Sequence, residues 1–226
     1  MSFGDAGDSW RFGTMKNSSK ISNGARKLLI ATKNKGKFKE YQIIFKNLPL
    51  KLISLKDLNI NKEVEEDGKT YEENAVKKAK FYSELTGLPT LGDDGGLEID
   101  FLNGEPGIKS RRWPGYEASD EELIQIILKK IKGVESGKRG AQLVVVIALT
   151  FPPEKKSYIF KGVLRGLIEE KPVIKRYEGY PFRSVFYLKE QKKVFGELSE
   201  EEEAEISHRK IAINKAMPLI REKMGV

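Results

Sequence analysis

Two adjacent acids, Asp93 and Asp94, lie between a short apolar run (Leu88 to Leu91) and the double glycine Gly95-Gly96. Such an arrangement holds a carboxylate pair at a strand end and leaves the backbone open to close approach by a phosphate. Leu97 and Ile99 then alternate with Glu98 and Asp100 as in a half-buried strand, and a Gly/Pro turn leads to Arg111 and Arg112. Acids for a hard cation, open backbone and arginines together suit a metal-bound polyphosphate. The competing reading is a surface turn, because Asp-Gly is ordinary turn chemistry.

A second group precedes it. Lys27 to Ala31 reads as a buried strand, followed by Thr32-Lys33-Asn34-Lys35-Gly36-Lys37 and an amphipathic helix with Phe38, Tyr41, Ile44, Phe45 and Leu48 on one stripe. The polar loop therefore falls at a helix N-terminus, where free N–H groups and the helix dipole attract anions. Lys37 adds a point charge and Asn34 a neutral donor. The pattern lacks the second glycine and the Ser/Thr after Lys that a Walker loop needs. A third group is the acidic turn Glu63 to Gly68, whose Glu65 and Glu66 are free to reach a metal.

The elements that must position these groups follow from periodicity and caps. Leu50 to Leu55 reads as a strand. Thr70 and Glu73 open a helix through Leu85, with Ala75, Ala79, Tyr82 and Leu85 inward. Ser119 and Glu122 open another, ending near Ile131. Gly140 to Phe151 is a long strand and Ser157 to Ile168 its hairpin partner, with Gly162 and Gly166 marking bulges or close approach. Val185 to Leu188 is a further strand, Ser199 to Glu205 a solvated helical turn, and Ser207 the cap of a last helix that Pro218 should kink or shorten. Residues 1 to 26, rich in Gly, Ser and Asn and without periodicity, read as a flexible leader; 27 to 226 form one α/β domain with no internal repeat.

The chain of 226 residues is long enough to bury a sizeable core. Its longest apolar run, Leu143 to Leu149, falls far short of the roughly 18 residues of a membrane span, so no membrane role is expected. No cysteine is present, which excludes disulfides, thiolate metal sites and a Cys nucleophile, and a single histidine excludes a multi-His metal centre. With no secretory signal, a cytoplasmic location is the default. The excess of 41 basic over 33 acidic residues, a net charge of +8, favours polyanionic partners or marks a heavily charged surface of the thermophilic kind. Nucleic acid is disfavoured as the partner, because the acids at 63 to 67, 93 to 94 and 200 to 203 repel phosphates unless a metal intervenes.

Five motifs occur in order: Thr-x-Asn-x-x-Lys (Thr32 to Lys37), Glu-Glu-x-Gly-x-Thr-Tyr-x-Glu-Asn-Ala (Glu65 to Ala75), Asp-Asp-x-Gly-Leu (Asp93 to Leu97), Gly-x-Pro-Gly-x-x-Ser-x-Arg (Gly104 to Arg112) and Ser-His-Arg (Ser207 to Arg209). From about Lys27 onward the chain resembles the inosine triphosphate pyrophosphatase family, which hydrolyses non-standard purine nucleoside triphosphates to monophosphate and pyrophosphate. The resemblance implies an elongated α/β fold, two lobes around a long twisted mixed sheet with a groove between them, a homodimer, Mg²⁺ as cofactor and a housecleaning role. By motif position it implies that Thr32, Lys33, Asn34, Lys35, Gly36 and Lys37 hold the triphosphate. Glu65 with Glu66 and Asp94 hold Mg²⁺, Asp94 doubling as the base for water. Gly95 stands where a substrate-contacting Ser is usual. His208 and Arg209 read the base.

The chemistry agrees with that assignment. Asp93 beside Asp94 is expected to raise the pKa of one of the two. His208, at a helix start, is expected to stay neutral and to offer a donor to a purine 6-oxo group, which an adenine amino group cannot use. The sequence departs from the family at the base-pocket loop, usually Gly-Phe-Gly-Tyr-Asp-Pro-x-Phe and here Gly179-Tyr180-Pro181-Phe182-Arg183-Ser184-Val185-Phe186. Aromatics remain at the stacking positions Tyr180 and Phe182, but the Asp has become Arg183, and the Lys usual before Ser-His-Arg is Glu203. Two inverted charges point to an ion pair exchanged with its sign reversed. They also keep open a catalytically weak or inactive nucleotide-binding relative with altered base specificity.

Overall fold

The computed structural model describes residues 26–173 and 179–226; the leader expected over residues 1 to 26 lies outside them except for Arg26. The buried runs around Leu28, Leu91 and Val144 to Leu149 become the middle of one seven-stranded sheet, ordered β2-β1-β3-β4-β5-β6-β7. The strands are β1 (Arg26–Ile30), β2 (Leu50–Ser54), β3 (Thr90–Ile99), β4 (Gly140–Thr150), β5 (Ser157–Ile168), β6 (Phe186–Leu188) and β7 (Lys193–Val194). β1 runs parallel to β2 and β3, and the remaining pairs are antiparallel, so the sheet is mixed. No described helix is long and apolar enough to cross a membrane.

Helix α1 (Lys35–Ile44) and helix α5 (His208–Met224) cover one face of the sheet. There Tyr41 and Ile44 pack with Ile213, Ala216 and the inward side chains Leu91, Val145 and Ile147. Helix α2 (Tyr71–Thr86) covers the other face, setting Ala75 and Ala79 against Val144, Val146 and Ala148. Two glycines let helices come unusually near. A β-carbon at Gly92 would lie 2.4 Å from the Ala75 carbonyl oxygen, and one at Gly162 would meet the His208 carbonyl. Gly162 is thus a point of close approach, and the β4–β5 register runs through it without a bulge. A separate apolar cluster joins helix α3 (Asp120–Ile131), capped by the expected Ser119–Glu122 box, to Leu97, Ile99, Phe186 and Phe195. These two ends of the sheet are the two lobes, and a cavity opens between them.

Four expectations need correction. Leu85 is not part of the inward stripe of α2: in the helix's last turn it is 48 % exposed. The paired acids stand in the middle of β3, one strand continuous from Thr90 to Ile99, because the ten-residue ladder with β4 carries it through the glycines. Pro218 does not shorten α5, which continues to Met224. The acidic turn is helix α4 (Glu200–Ile206), and its Glu203 is buried rather than solvated.

Candidate functional site

β1 pairs with β3 only through Leu29–Thr90 and Ile30–Leu91, and then the chain turns off through Thr32 to Asn34 into α1. Beyond Leu91 the near edge of β3 is left without a strand partner. Asn34 caps α1: its Oδ1 accepts the Lys37 backbone N–H at 3.0 Å, so its oxygen is committed to the helix, while Thr32 Oγ1 accepts the Asn34 N–H at 3.2 Å. Thr32, Lys33, Asn34 and Lys37 line a cavity of about 870 Å³. Lys33 also reaches Glu63 across its mouth. Lys35 and Gly36 line instead a smaller cavity of about 240 Å³, whose wall of Tyr180 and Arg183 is shared with the larger one.

Alternation along β3 sends Asp93 and Asp94 to opposite faces of the sheet. Asp93 lies on the α1/α5 face, 2 % exposed, where it accepts from Lys37 Nζ (3.0 Å), Arg209 Nε (3.0 Å) and the Tyr41 hydroxyl (3.3 Å). Burial pushes its carboxyl up, but the cations of Lys37 and Arg209 outweigh that and hold it well below the usual range. Asp94 lies on the α2 face. Its Oδ2 accepts from Asn74 Nδ2 at 2.9 Å and its Oδ1 from the Gly95 N–H at 2.9 Å. Its pKa is raised, chiefly by burial and further by Glu66, against the pull of Lys78 and Lys37. The expected mutual titration of the two acids is therefore replaced by two separate environments. The two faces nonetheless meet around the free edge of β3: Lys37 and Asp94 line the same cavity, and the Lys37 ammonium acts on the Asp94 carboxylate.

Of the two glutamates in the acidic turn, the structure brings Glu66 to the site and leaves Glu65 exposed and off the cavity wall. Glu66 Oε2 pairs with Lys78 Nζ at 2.9 Å; the Lys78 side chain is 8 % exposed. Burial alone would lower the Lys78 pKa, yet the carboxylates of Asp94, Asp93 and Glu66 raise it, so the ammonium stays charged. Among the described residues no three Asp, Glu or His side chains gather into a metal cage. Glu66 and Asp94, two hard oxygen donors on the wall of one cavity, would hold a divalent cation, which would share with Lys78 the balancing of their charge. At Gly95 a β-carbon would lie 2.2 Å from the Val144 carbonyl oxygen, so the backbone as it stands leaves no room for a side chain there.

Behind the other end of the cavity runs an alternating chain of charges, all buried except the half-buried Lys37: Lys37–Asp93–Arg209–Glu40–Arg183–Glu203. Glu40 Oε2 accepts from Arg183 (2.6 Å), Arg209 (3.1 Å) and the Tyr180 hydroxyl (3.3 Å), and Arg183 also pairs with Glu203. Burial raises the Glu40 pKa, but Arg209 and Arg183 bring it down to about 2. The two charges inverted relative to the family thus do face each other. Arg183 stacks on the Tyr180 ring at 3.8 Å from its centroid. Pro181 starts a short 3₁₀ turn, and Phe182 packs into the α3 cluster while still lining the cavity. Glu203 lines the smaller cavity; His208 and Arg209 line the larger.

His208 is buried, and its pKa falls to about 3 because burial and the neighbouring Arg209 both disfavour the imidazolium; these causes, more than the helix start, keep it neutral. The folded state then refuses a proton that the unfolded chain takes up below about pH 6.5. Stability is therefore lost as pH falls from about 6.5 toward 3, by up to about 1.4 kcal/mol per pH unit from this group. Urea unfolding at pH 7, 6 and 5 should show that slope in the wild type, reduced by one proton in His208→Gln; an equal slope in both contradicts it.

Two residues of the site were not singled out from the sequence. Glu40 follows Lys37 by three residues and borders the apolar stripe of α1, so an acid there signals a buried partner. Lys78 stands between the small inward residues Ala75 and Ala79, one turn after Asn74, which makes it a buried cation on the strand-facing side of α2.

The sequence profile described as the Ham1 family matches residues 28–219. The dITP/XTP pyrophosphatase of Geobacter sulfurreducens is 40% identical over 199 residues, covering 88% of this chain and 96% of its own length. That of Bacillus subtilis is 33% identical over 195 residues, covering 86% and 97%. Among solved structures, the Staphylococcus aureus Ham1 protein aligns with a TM-score of 0.74 at 34% identity, over 87% of this chain and 99% of that one. A HAM1 protein from Coxiella burnetii aligns at 0.75 and 33%, over the same shares. With a family profile matched over residues 28–219, and relatives of 33–40% identity and solved structures aligned along almost their whole length, the chain belongs to the Ham1 family.

Proposed function

We propose that this protein hydrolyses non-standard purine nucleoside triphosphates (dITP, XTP and ITP) to the monophosphate and pyrophosphate, with Mg²⁺, as a cytoplasmic homodimer that cleans the nucleotide pool. The observation that carries this reading is the sharing of one cavity by Lys37, at the head of α1, and Asp94. The Lys37 ammonium, with Thr32, Lys33 and Asn34 on the same wall, holds the phosphates. Asp94 and Glu66 would hold Mg²⁺, which when bound supplies charge neutralisation on the leaving group and a more acidic water. Asp94, with its raised pKa, takes the proton of the water that attacks the α-phosphorus. Lys78 and Lys37 balance charge on either side of the reacting group. Neutral His208 and the buried guanidinium of Arg209 face the base, whose 6-oxo group accepts where an amino group cannot.

The test is product analysis with dITP, XTP, ITP, GTP and ATP in Mg²⁺. The expected result is monophosphate plus pyrophosphate, with kcat/KM for the first three about a hundredfold or more above ATP. Diphosphate plus orthophosphate contradicts the proposed reaction. The Arg183–Glu203 inversion favours one alternative, a nucleotide-binding relative without turnover, which tight binding with no release would establish.

A further inference from the structure

Asn74 is 3 % exposed on the strand-facing side of α2, and its side-chain amide is committed to two different elements. Its Oδ1 accepts the Gly68 N–H at 2.8 Å, and its Nδ2 donates to Asp94 Oδ2 at 2.9 Å. Gly68 closes the acidic turn that carries Glu66, and a β-carbon there would lie 2.5 Å from Asn74 Oδ1, so a larger residue would have to displace the amide. The other Asp94 oxygen is held by the Gly95 N–H, so the carboxylate plane is fixed from both sides. The helix itself does not require this amide: Thr70 already caps α2 by accepting the Glu73 N–H. A buried amide on a stripe of alanines costs free energy unless both of its ends are bonded, and here each end is bonded to a segment bearing a carboxylate.

We propose that Asn74 is a positioning residue that sets the spacing and orientation of Glu66 and Asp94 as a ligand pair for a divalent cation. One planar group spans the gap between the acidic turn and β3, and Lys78, one turn further along α2, ties Glu66 to the same helix face. The proposal rests on the assignment of Glu66 and Asp94 under the proposed function, but it makes a structural claim that holds without turnover.

Two variants separate its arms. Asn74→Ala removes both bonds. In the metal-free protein the Gly68 amide should exchange with solvent about tenfold faster or more, and the Kd for Mn²⁺ alone, read by electron paramagnetic resonance, should rise about 10- to 100-fold. The Mg²⁺ concentration for half-maximal turnover should rise by a similar factor, with the nucleotide KM at saturating Mg²⁺ nearly unchanged. Asn74→Asp is isosteric and keeps the acceptor for Gly68. Slow Gly68 exchange should survive there, while turnover falls about tenfold or more because a carboxylate now faces Asp94. Unchanged Gly68 exchange and Mn²⁺ affinity in Asn74→Ala overturn the proposal. If that variant does not fold, wild-type turnover in Asn74→Asp overturns it. A wild type that hydrolyses no triphosphate defeats the proposed function alone, because exchange and Mn²⁺ binding still decide the role of Asn74.

Discussion

Asp94→Asn is expected to lower kcat for pyrophosphate release by about a thousandfold or more, since it removes the proton acceptor together with a charged oxygen for the cation. The substitution keeps the size of the side chain and one oxygen for the Gly95 N–H, but it sets an amide donor against Asn74 Nδ2 and takes a carboxylate from the buried Lys78, so a stability loss of about 1–3 kcal/mol should accompany the loss of turnover. Asp93→Asn, one residue away, should behave differently. Its carboxylate is the shared acceptor of Lys37, Arg209 and Tyr41, and neutralising it takes the carboxylate partner from Lys37 and leaves Arg209 with Glu40 alone, inside the protein. The expected loss is about 3–5 kcal/mol of stability. Denaturation and single-turnover kinetics on the two variants separate a chemical role from a structural one. Identical phenotypes would contradict the assignment of the two acids to opposite faces.

The second large effect concerns the inverted pair. Arg183→Asp sets a carboxylate against both Glu40 and Glu203, all inside the protein, and should cost about 3–5 kcal/mol. In a chain of this size that lowers Tm by about 10 °C. Adding Glu203→Lys restores opposite charges, and the double variant should recover at least about half of the loss, a coupling of the size seen for residues in direct contact. Losses that simply add would mean that Arg183 is held by Glu40 alone. Because Arg183 also stacks on Tyr180, the double variant should shift the ranking of purine triphosphates even where stability returns.

Much of this was legible in the residues because local rules and global structure agree. The apolar run of β4, the hairpin to Ser157–Ile168, and the Ser119 and Ser207 caps each follow from period and capping chemistry, and the structure places them there. The opening strand, the polar loop and the helix that Asn34 caps were legible for the same reason. What was not legible depended on direction. Adjacent aspartates look like a dyad in one dimension, and only the uninterrupted ladder from Thr90 to Ile99 reveals that the pleat sends them apart. Glu203 looked solvated because its acidic neighbours are; its burial is fixed by an arginine 20 positions earlier in the chain. Glu40 and Lys78 were hidden by being charged residues among apolar ones on helices, where a sequence pattern records the stripe and overlooks the exception. Glu65 and Glu66 are alike in the sequence, and only the turn's anchoring through Gly68 and the Glu66–Lys78 pair show which of them lines the cavity.

The most direct test is a crystal of the protein soaked with Mn²⁺ and an α,β-imido analogue of dITP, with the anomalous signal locating the metal. The expected map has one Mn²⁺ peak bound by Asp94 and Glu66, bridged by a triphosphate whose far end rests on Lys37 and the start of α1. A triphosphate lying away from Lys37, or a metal that leaves Asp94 untouched, would contradict the account.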